Sequence, residues 1–154
     1  MTKASMTSEE IDQFLTCARV GRLGLTAKDG PYIVPVGYGY ANGEIFFHTC
    51  EKGSKTMELR KNSPICFEVD ESLSDISMYK SVIARGRVQI IEEKDEMIPY
   101  LQKLIDKYRV LLNFDSYMSK AGRNRESELK SVRICVMTPD KTTGIKHFEQ
   151  ANSI

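Results

Sequence analysis

The stretch Tyr32-Ile33-Val34-Pro35-Val36-Gly37-Tyr38-Gly39-Tyr40-Ala41-Asn42-Gly43-Glu44-Ile45-Phe46-Phe47-His48-Thr49-Cys50 decides the fold. Residues 32–40 alternate strictly. Tyr32, Val34, Val36, Tyr38 and Tyr40 share one face, and Ile33, Pro35, Gly37 and Gly39 share the other. Period-two alternation is the mark of a half-buried strand. Asn42-Gly43 then supplies a type I′ turn, and residues 44–50 return as a second strand. A hairpin of this kind needs further strands to bury its apolar face.

Those strands lie on both sides of it. Upstream, residues 21–27 read as a strand closed by Lys28-Asp29-Gly30, a second hairpin signal. Before it, Thr7-Ser8-Glu9-Glu10 fits a capping box, and Ile11, Phe14, Leu15 and Ala18 form one apolar stripe, so residues 7–19 read as a helix. Downstream comes a short helix over 54–61, stopped by Asn62-Ser63-Pro64, and then a strand over 65–70. Residues 79–91 read as one long strand, with Val82, Ala84, Gly86, Val88 and Ile90 on one face and a bend expected at Gly86. A long helix over 93–112 follows, with acidic residues at its start and basic ones near its end. Pro99 requires that helix to begin just before it. Residues 113–127 read as irregular, and closing strands fall within 130–148, over 131–138 and 143–148. Six or more strands in mostly hairpin order, without β-α-β alternation, point to a mainly β chain. The expected architecture is one domain over 1–154, an antiparallel barrel with peripheral helices.

Composition narrows the function classes. The chain has 154 residues, 22 basic and 21 acidic side chains, and a net charge of +1. That balance argues against a nucleic-acid or anionic-membrane surface. The longest unbroken apolar run is Ile134-Cys135-Val136-Met137, far short of the roughly 20 residues a membrane helix needs. No secretory leader is read at the N-terminus. Cys17, Cys50, Cys66 and Cys135 contain no C-x-x-C pair. They are expected to be buried, reduced thiols in a cytoplasmic protein with no bound metal.

Chemistry concentrates where residues 44–50 end. There Gly53 turns the chain and Ser54-Lys55 opens a helix. Free backbone N–H groups, two hydroxyls (Ser54, Thr49) and a cation suit one phosphate, although an ordinary capped helix start has the same pattern. Pro35, Gly37 and Gly39 leave a strand face bare enough for a flat ring, or for a packed neighbour. His48 points away from Phe47 and Thr49, as either a ligand-facing or a structural histidine. Arg85 and Arg87 are expected to pair with Glu68 or Asp70. Residues 120–133 carry a local basic excess that reads as solvated loop charge.

Three groups of residues together resemble a known family. The first is Val20-Gly21-Arg22-Leu23-Gly24-Leu25 with Pro31-Tyr32-Ile33-Val34-Pro35-Val36. The second is Ile45-Phe46-Phe47-His48-Thr49 with Gly53-Ser54-Lys55 and Asn62-Ser63-Pro64. The third is Tyr79-Lys80-Ser81-Val82-Ile83 with Gly86-Arg87-Val88. The chain resembles the pyridoxamine 5′-phosphate oxidase-like flavoproteins, in particular the nitroimidazole-resistance branch. The likeness covers residues 7–112 closely and 113–154 loosely, where Thr143-Gly144-Ile145-Lys146 is similar to that branch's Thr-Gly-Lys ending with one residue inserted.

The resemblance implies an FMN-binding split β-barrel that dimerises, with FMN at the interface. It implies that Lys55, Ser54 and Thr49 hold the phosphate and that Val34, Pro35 and Val36 meet the isoalloxazine through their backbone. It further implies that Phe47 and His48 line the cofactor site, with His48 nearest the redox end. Ser81 and Val82 are implied beside the flavin or at the dimer seam. The expected activity is an oxidoreductase using NADH or NADPH to reduce a small aromatic or nitro compound. The alternative is a non-catalytic carrier or sensor of flavin or haem, and a deazaflavin is the other cofactor the family uses. The arginine-rich ending by which the vitamin oxidase recognises its substrate is missing, which speaks against that substrate.

Overall fold

The strand read as 32–40 turns a corner at Tyr38 and continues in a different sheet. The computed structural model describes residues 2–62, 64–108, 113–119 and 122–149. In chain order the elements are β1 (Thr2–Ser5), α1 (Ser8–Cys17), β2 (Val20–Ala27), β3 (Gly30–Gly37), β4 (Gly39–Ala41), β5 (Glu44–Cys50), α2 (Ser54–Arg60), β6 (Ile65–Ser72), β7 (Met78–Gly86), β8 (Val88–Ile91), α3 (Lys94–Tyr108), α4 (Phe114–Met118), α5 (Arg125–Ser131), β9 (Val132–Met137) and β10 (Lys141–Phe148). One sheet has the order β1-β10-β7-β6-β2-β3 and the other β4-β5-β9-β8. All pairings are antiparallel.

Two strands therefore cross from sheet to sheet. The single strands expected over 32–40 and 79–91 are each split, into β3/β4 and β7/β8. Alternation survives the corner because Tyr38 stays on the core side, fully buried, as do Val82, Ala84 and Val88. A corner leaves backbone groups without ladder partners, and those groups must be satisfied elsewhere. Tyr108 of α3 does this at Tyr38. Its hydroxyl accepts from the Tyr38 N–H at 2.8 Å and lies 2.8 Å from the Tyr38 carbonyl. The Tyr38 hydroxyl in turn donates to the Leu15 carbonyl at 2.6 Å, tying α1 to the same point. At the second corner the Asp140 N–H donates to the Arg85 carbonyl at 2.8 Å, and Arg87 donates to the Asn62 carbonyl.

The core has two parts. Leu23, Leu25, Tyr38, Ile45, Phe47, Phe67, Val69, Val82 and Met137 fill the space between the sheets. Phe46, Met97, Leu104, Ile105, Phe114, Leu129 and Ile134 fill the space between the β4-β5-β9-β8 sheet and α3, α4 and α5. The capping box at Thr7 is formed, with Glu10 reaching back to the Thr7 N–H.

Several expectations need correction. Residues 113–127, read as irregular, hold α4 and the start of α5. The long helix begins at Lys94, so Pro99 lies inside it, and residues 109–112 of the expected span lie outside the described residues. β1 was not expected; it pairs along β10 from Thr2↔Phe148 to Ser5↔Ile145. Arg85 and Arg87 do not take Glu68 and Asp70. The register sets Glu68 opposite Ile83 and Asp70 opposite Ser81, and both carboxylates pair with Arg22 of β2. Only Cys135 is buried; Cys17 and Cys50 are exposed, and all four thiols are free. In the basic segment, Arg123 pairs with Glu128, Arg125 with Asp115 and Glu126, and Arg133 with Glu51. Lys120 lies outside the described residues.

Candidate functional site

β5 sends alternate side chains to the two cores. Ile45, Phe47 and Thr49 point inward between the sheets, and Phe46 and His48 point to the helix side. Phe47 is fully buried and stacks toward Phe67, ring centroids 6.4 Å apart at 15°. Its side chain belongs to the core, so it offers a ligand only its backbone. Thr49 is likewise buried, and its hydroxyl lies 2.9 Å from that of Thr56 on α2, which donates to the Cys50 carbonyl. This pair fixes α2 against the end of β5 and engages the hydroxyl expected on a phosphate.

Gly53 caps α2 without a side-chain hydrogen bond. Among the described residues, the first-turn N–H groups thus have no side-chain acceptor. Ser54 is exposed there and Lys55 is half-buried, its ammonium 6.0 Å from the Phe47 ring centroid. His48 stands beside it. Surrounding protein, and then the Lys55 charge, push the His48 imidazole below its usual pKa, which keeps it neutral at pH 7. The ring is nonetheless solvent-accessible, because it faces a cavity rather than packed side chains.

β3 is the edge of its sheet. Val34 and Val36 turn toward the core opposite Leu23 and Gly21, and Pro35, Gly37 and Ile33 face outward. Ile33 is 70% exposed and Val20, opposite Gly37, is 53% exposed. This leaves an apolar edge with little side-chain relief next to the corner that holds His48.

Ser81 and Val82 lie elsewhere. β7 is three strand positions from β3, about 14 Å at the usual spacing. Val82 is fully buried, and Ser81 faces outward opposite Asp70. One copy of the chain therefore places His48 beside Lys55 at the start of α2 and beside Gly37 at the end of the β3 edge, but leaves Ser81 apart.

The sequence reading missed a cavity of about 330 Å³ between β5, β9 and the three helices. Leu101, Leu104, Ile105, Tyr108, Phe114, Leu129 and Val132 form its apolar walls, and Gly37, His48, Arg123 and Glu128 supply the rest. The wide apolar face of α3 can be read in the sequence from Met97, Ile98, Leu101, Leu104, Ile105 and Tyr108 at helical spacing. Its partners on α4 and α5 were hidden because those helices are short and lack a stripe. Among the described residues there is no cluster of potential metal ligands and no helix long and apolar enough to cross a membrane.

Comparison with known proteins places this geometry. The family model of pyridoxamine 5′-phosphate oxidase matches residues 7–146. An uncharacterised protein of Rhizobium meliloti is 29% identical over 84 residues, a match spanning 54% of each chain. Among solved structures, a candidate 5-nitroimidazole antibiotic resistance protein from Bacteroides thetaiotaomicron has a TM-score of 0.74 at 21% identity, covering 94% of this chain and 87% of that one. A hypothetical protein from Mycobacterium tuberculosis reaches a TM-score of 0.79 at 18% identity, covering 96% and 94%. A FAD-binding protein from Mesorhizobium loti has a TM-score of 0.67 at 22% identity, covering 95% and 99%. At these identities the structural likenesses speak for the fold, two antiparallel sheets that share strands at their corners. The match over residues 7–146 goes further, and the chain belongs to the pyridoxamine 5′-phosphate oxidase family.

Proposed function

We propose that this chain is a flavin-binding oxidoreductase that holds FMN between two copies of itself and takes electrons from NADH or NADPH. The carrying observation is the corner where β5 meets α2. An unstoppered helix start carries Ser54 and Lys55 beside a neutral histidine, and that histidine shares a cavity wall with Gly37 at the end of the bare β3 edge. A phosphate fits the first feature and a flat ring system the second. FAD-binding proteins and an F420 reductase among the structural relatives support a flavin-type cofactor.

Flavin supplies the hydride and electron chemistry, and the protein's share is binding and orientation. Lys55 would neutralise phosphate charge while the α2 N–H groups and Ser54 donate hydrogen bonds to its oxygens. The backbone of Val34, Pro35 and Val36 would set the ring plane. His48, neutral, would present one ring nitrogen as donor or acceptor without adding charge. Thr49 acts indirectly, by holding α2 in place through Thr56. Ser81 would join only from the second copy, because its own chain keeps it about 14 Å from β3.

The visible spectrum of the purified protein is the first test: flavin absorption bands are expected, and FMN is expected on heat release. Lys55→Ala should weaken FMN affinity by about 1.5–3 kcal/mol through loss of a charge-assisted contact, read by flavin fluorescence titration. Unchanged affinity would put the phosphate elsewhere. A colourless protein that takes up no FMN at micromolar concentration would remove the reading altogether. Rapid bleaching of bound flavin by NADH separates an oxidoreductase from a carrier.

A further inference from the structure

We infer that the 330 Å³ cavity between β5, β9 and α3–α5 is a substrate site for a neutral, two-ring aromatic molecule carrying one hydrogen-bonding group. This deepens the flavin reading and rests on it, since Gly37 and His48 belong to both the cavity wall and the flavin corner.

Size sets the first limit. An apolar cavity of about 150 Å³ admits benzene. One of about 330 Å³ has room for two fused rings and little more. It lies at the low end of ligand pockets in general, roughly 300–1,000 Å³.

Chemistry sets the second limit. Five aliphatic side chains, Leu101, Leu104, Ile105, Leu129 and Val132, and the ring of Phe114 offer only dispersion contacts. Tyr108 offers its ring but not its hydroxyl, which is engaged with the backbone of Tyr38 and Arg19. Arg123 and Glu128 contact each other through both carboxylate oxygens at 3.1 Å, so the pair brings no net charge to the wall. A charged ligand would lose hydration there without gaining a counter-charge from the described wall. Among the described residues, His48 is the remaining polar side chain on the wall, and its neutral ring can meet a hydroxyl, carbonyl or similar neutral group. A molecule bound this way has its polar end at His48, against the flavin corner, and its ring system among the leucines.

The test uses the flavin-loaded protein and three probes with one ring skeleton: 2-naphthol, 2-naphthoate and naphthalene, titrated at pH 7 by calorimetry and saturation-transfer NMR. Naphthol should bind in the sub-millimolar range or tighter. Naphthoate should bind about tenfold weaker or worse, and naphthalene several-fold weaker. Leu101→Phe, which fills the cavity from its half-buried rim, should reduce naphthol affinity about tenfold while the flavin spectrum stays unchanged. Val132→Phe provides the same test should the first variant fail to fold. His48→Ala should bring naphthol down to the affinity of naphthalene. Equal binding of naphthol and naphthoate, or naphthol binding that ignores both filling variants, overturns the inference. Flavin content is read separately from the visible spectrum. Protein that holds FMN but not naphthol refutes the cavity assignment alone, whereas protein that holds naphthol but not FMN refutes the flavin reading.

Discussion

At the scale of single residues, two glycines are set by rings rather than by turns. Gly39 pairs directly with Phe46, and a Cβ there would stand 2.2 Å from that ring. Gly21 is in the same position against Phe67, at 2.1 Å. Both rings are almost fully buried and cannot swing away. Gly39→Ala should therefore cost about 1–3 kcal/mol, as overpacking of a close-packed core does, and chemical denaturation should show it as a lower midpoint with an unchanged slope. An unaltered midpoint would mean that the Phe46 ring is free to move.

Lys107 is the opposite case, a residue the fold tolerates at a loss. Its ammonium lies 4.0 Å over the Tyr38 ring centroid, is buried, and finds no hydrogen-bond acceptor among the described residues. Burial, with Arg19 adding to it, lowers the amine from 10.5 to about 8. Because the folded pKa lies below the unfolded one, the unfolded chain binds more protons between those values, and stability rises with pH across that window. Lys107→Met should stabilise the protein at pH 7 by about 1–2 kcal/mol, since the ring contact offsets part of the desolvation. The advantage should shrink as pH climbs through the window. A gain that does not vary with pH would trace to packing instead of charge.

Among elements, what could be read from the sequence was what a local period records. α1, β2, β5 and α2 stand within a residue or two of the spans expected from capping box, alternation and turn residues. Of the two sheet corners, the one after Gly86 was signalled by that glycine, which ends β7; the one at Tyr38 was not legible, since a strand that bends while keeping its inward face inward leaves alternation intact. Tyr108, which makes the first corner affordable, sits 70 residues away in sequence. β1 is four residues of mixed polarity that become a strand only because β10 offers an edge. The candidate site divides in the same way. His48, Ser54 and Lys55 were visible as a strand–turn–helix pattern, but the interior engagement of Phe47, Thr49 and Val82 depends on what packs opposite.

α3 carries an internal fault of its own. Pro99 is exposed in its second turn and supplies no N–H for the Asp95 carbonyl. Pro99→Ala should raise stability by about 1–3 kcal/mol, measured by thermal unfolding. No gain would indicate that the helix is distorted there in a way alanine does not relieve.

For the whole molecule, the exposed apolar surface is the feature that asks for a partner. Val20, Ile33 and Tyr32 lie along the β2–β3 edge, and Leu73, Ile76 and Met78 lie at the β6–β7 hairpin, all between 41% and 70% exposed. Ile76 also holds a left-handed backbone, with φ 61°, that a β-branched residue rarely adopts. A second copy of this chain is the proposed cover. Ile33→Glu should convert a dimer to a monomer in light scattering and lose FMN with it, because the site would then lack its second half. A monomeric wild-type protein that still binds FMN would refute the dimer while leaving the flavin corner intact.

The two corner strands also bear on how the protein comes apart. Each sheet is joined to the other by continuous backbone at Tyr38 and again near Arg87, so neither can detach and unravel alone without dragging the other's hydrogen bonds with it. Amide hydrogens in β5 and in β7 should then exchange with one common opening free energy, and a single cooperative unit should be seen where two separate sheets would give two.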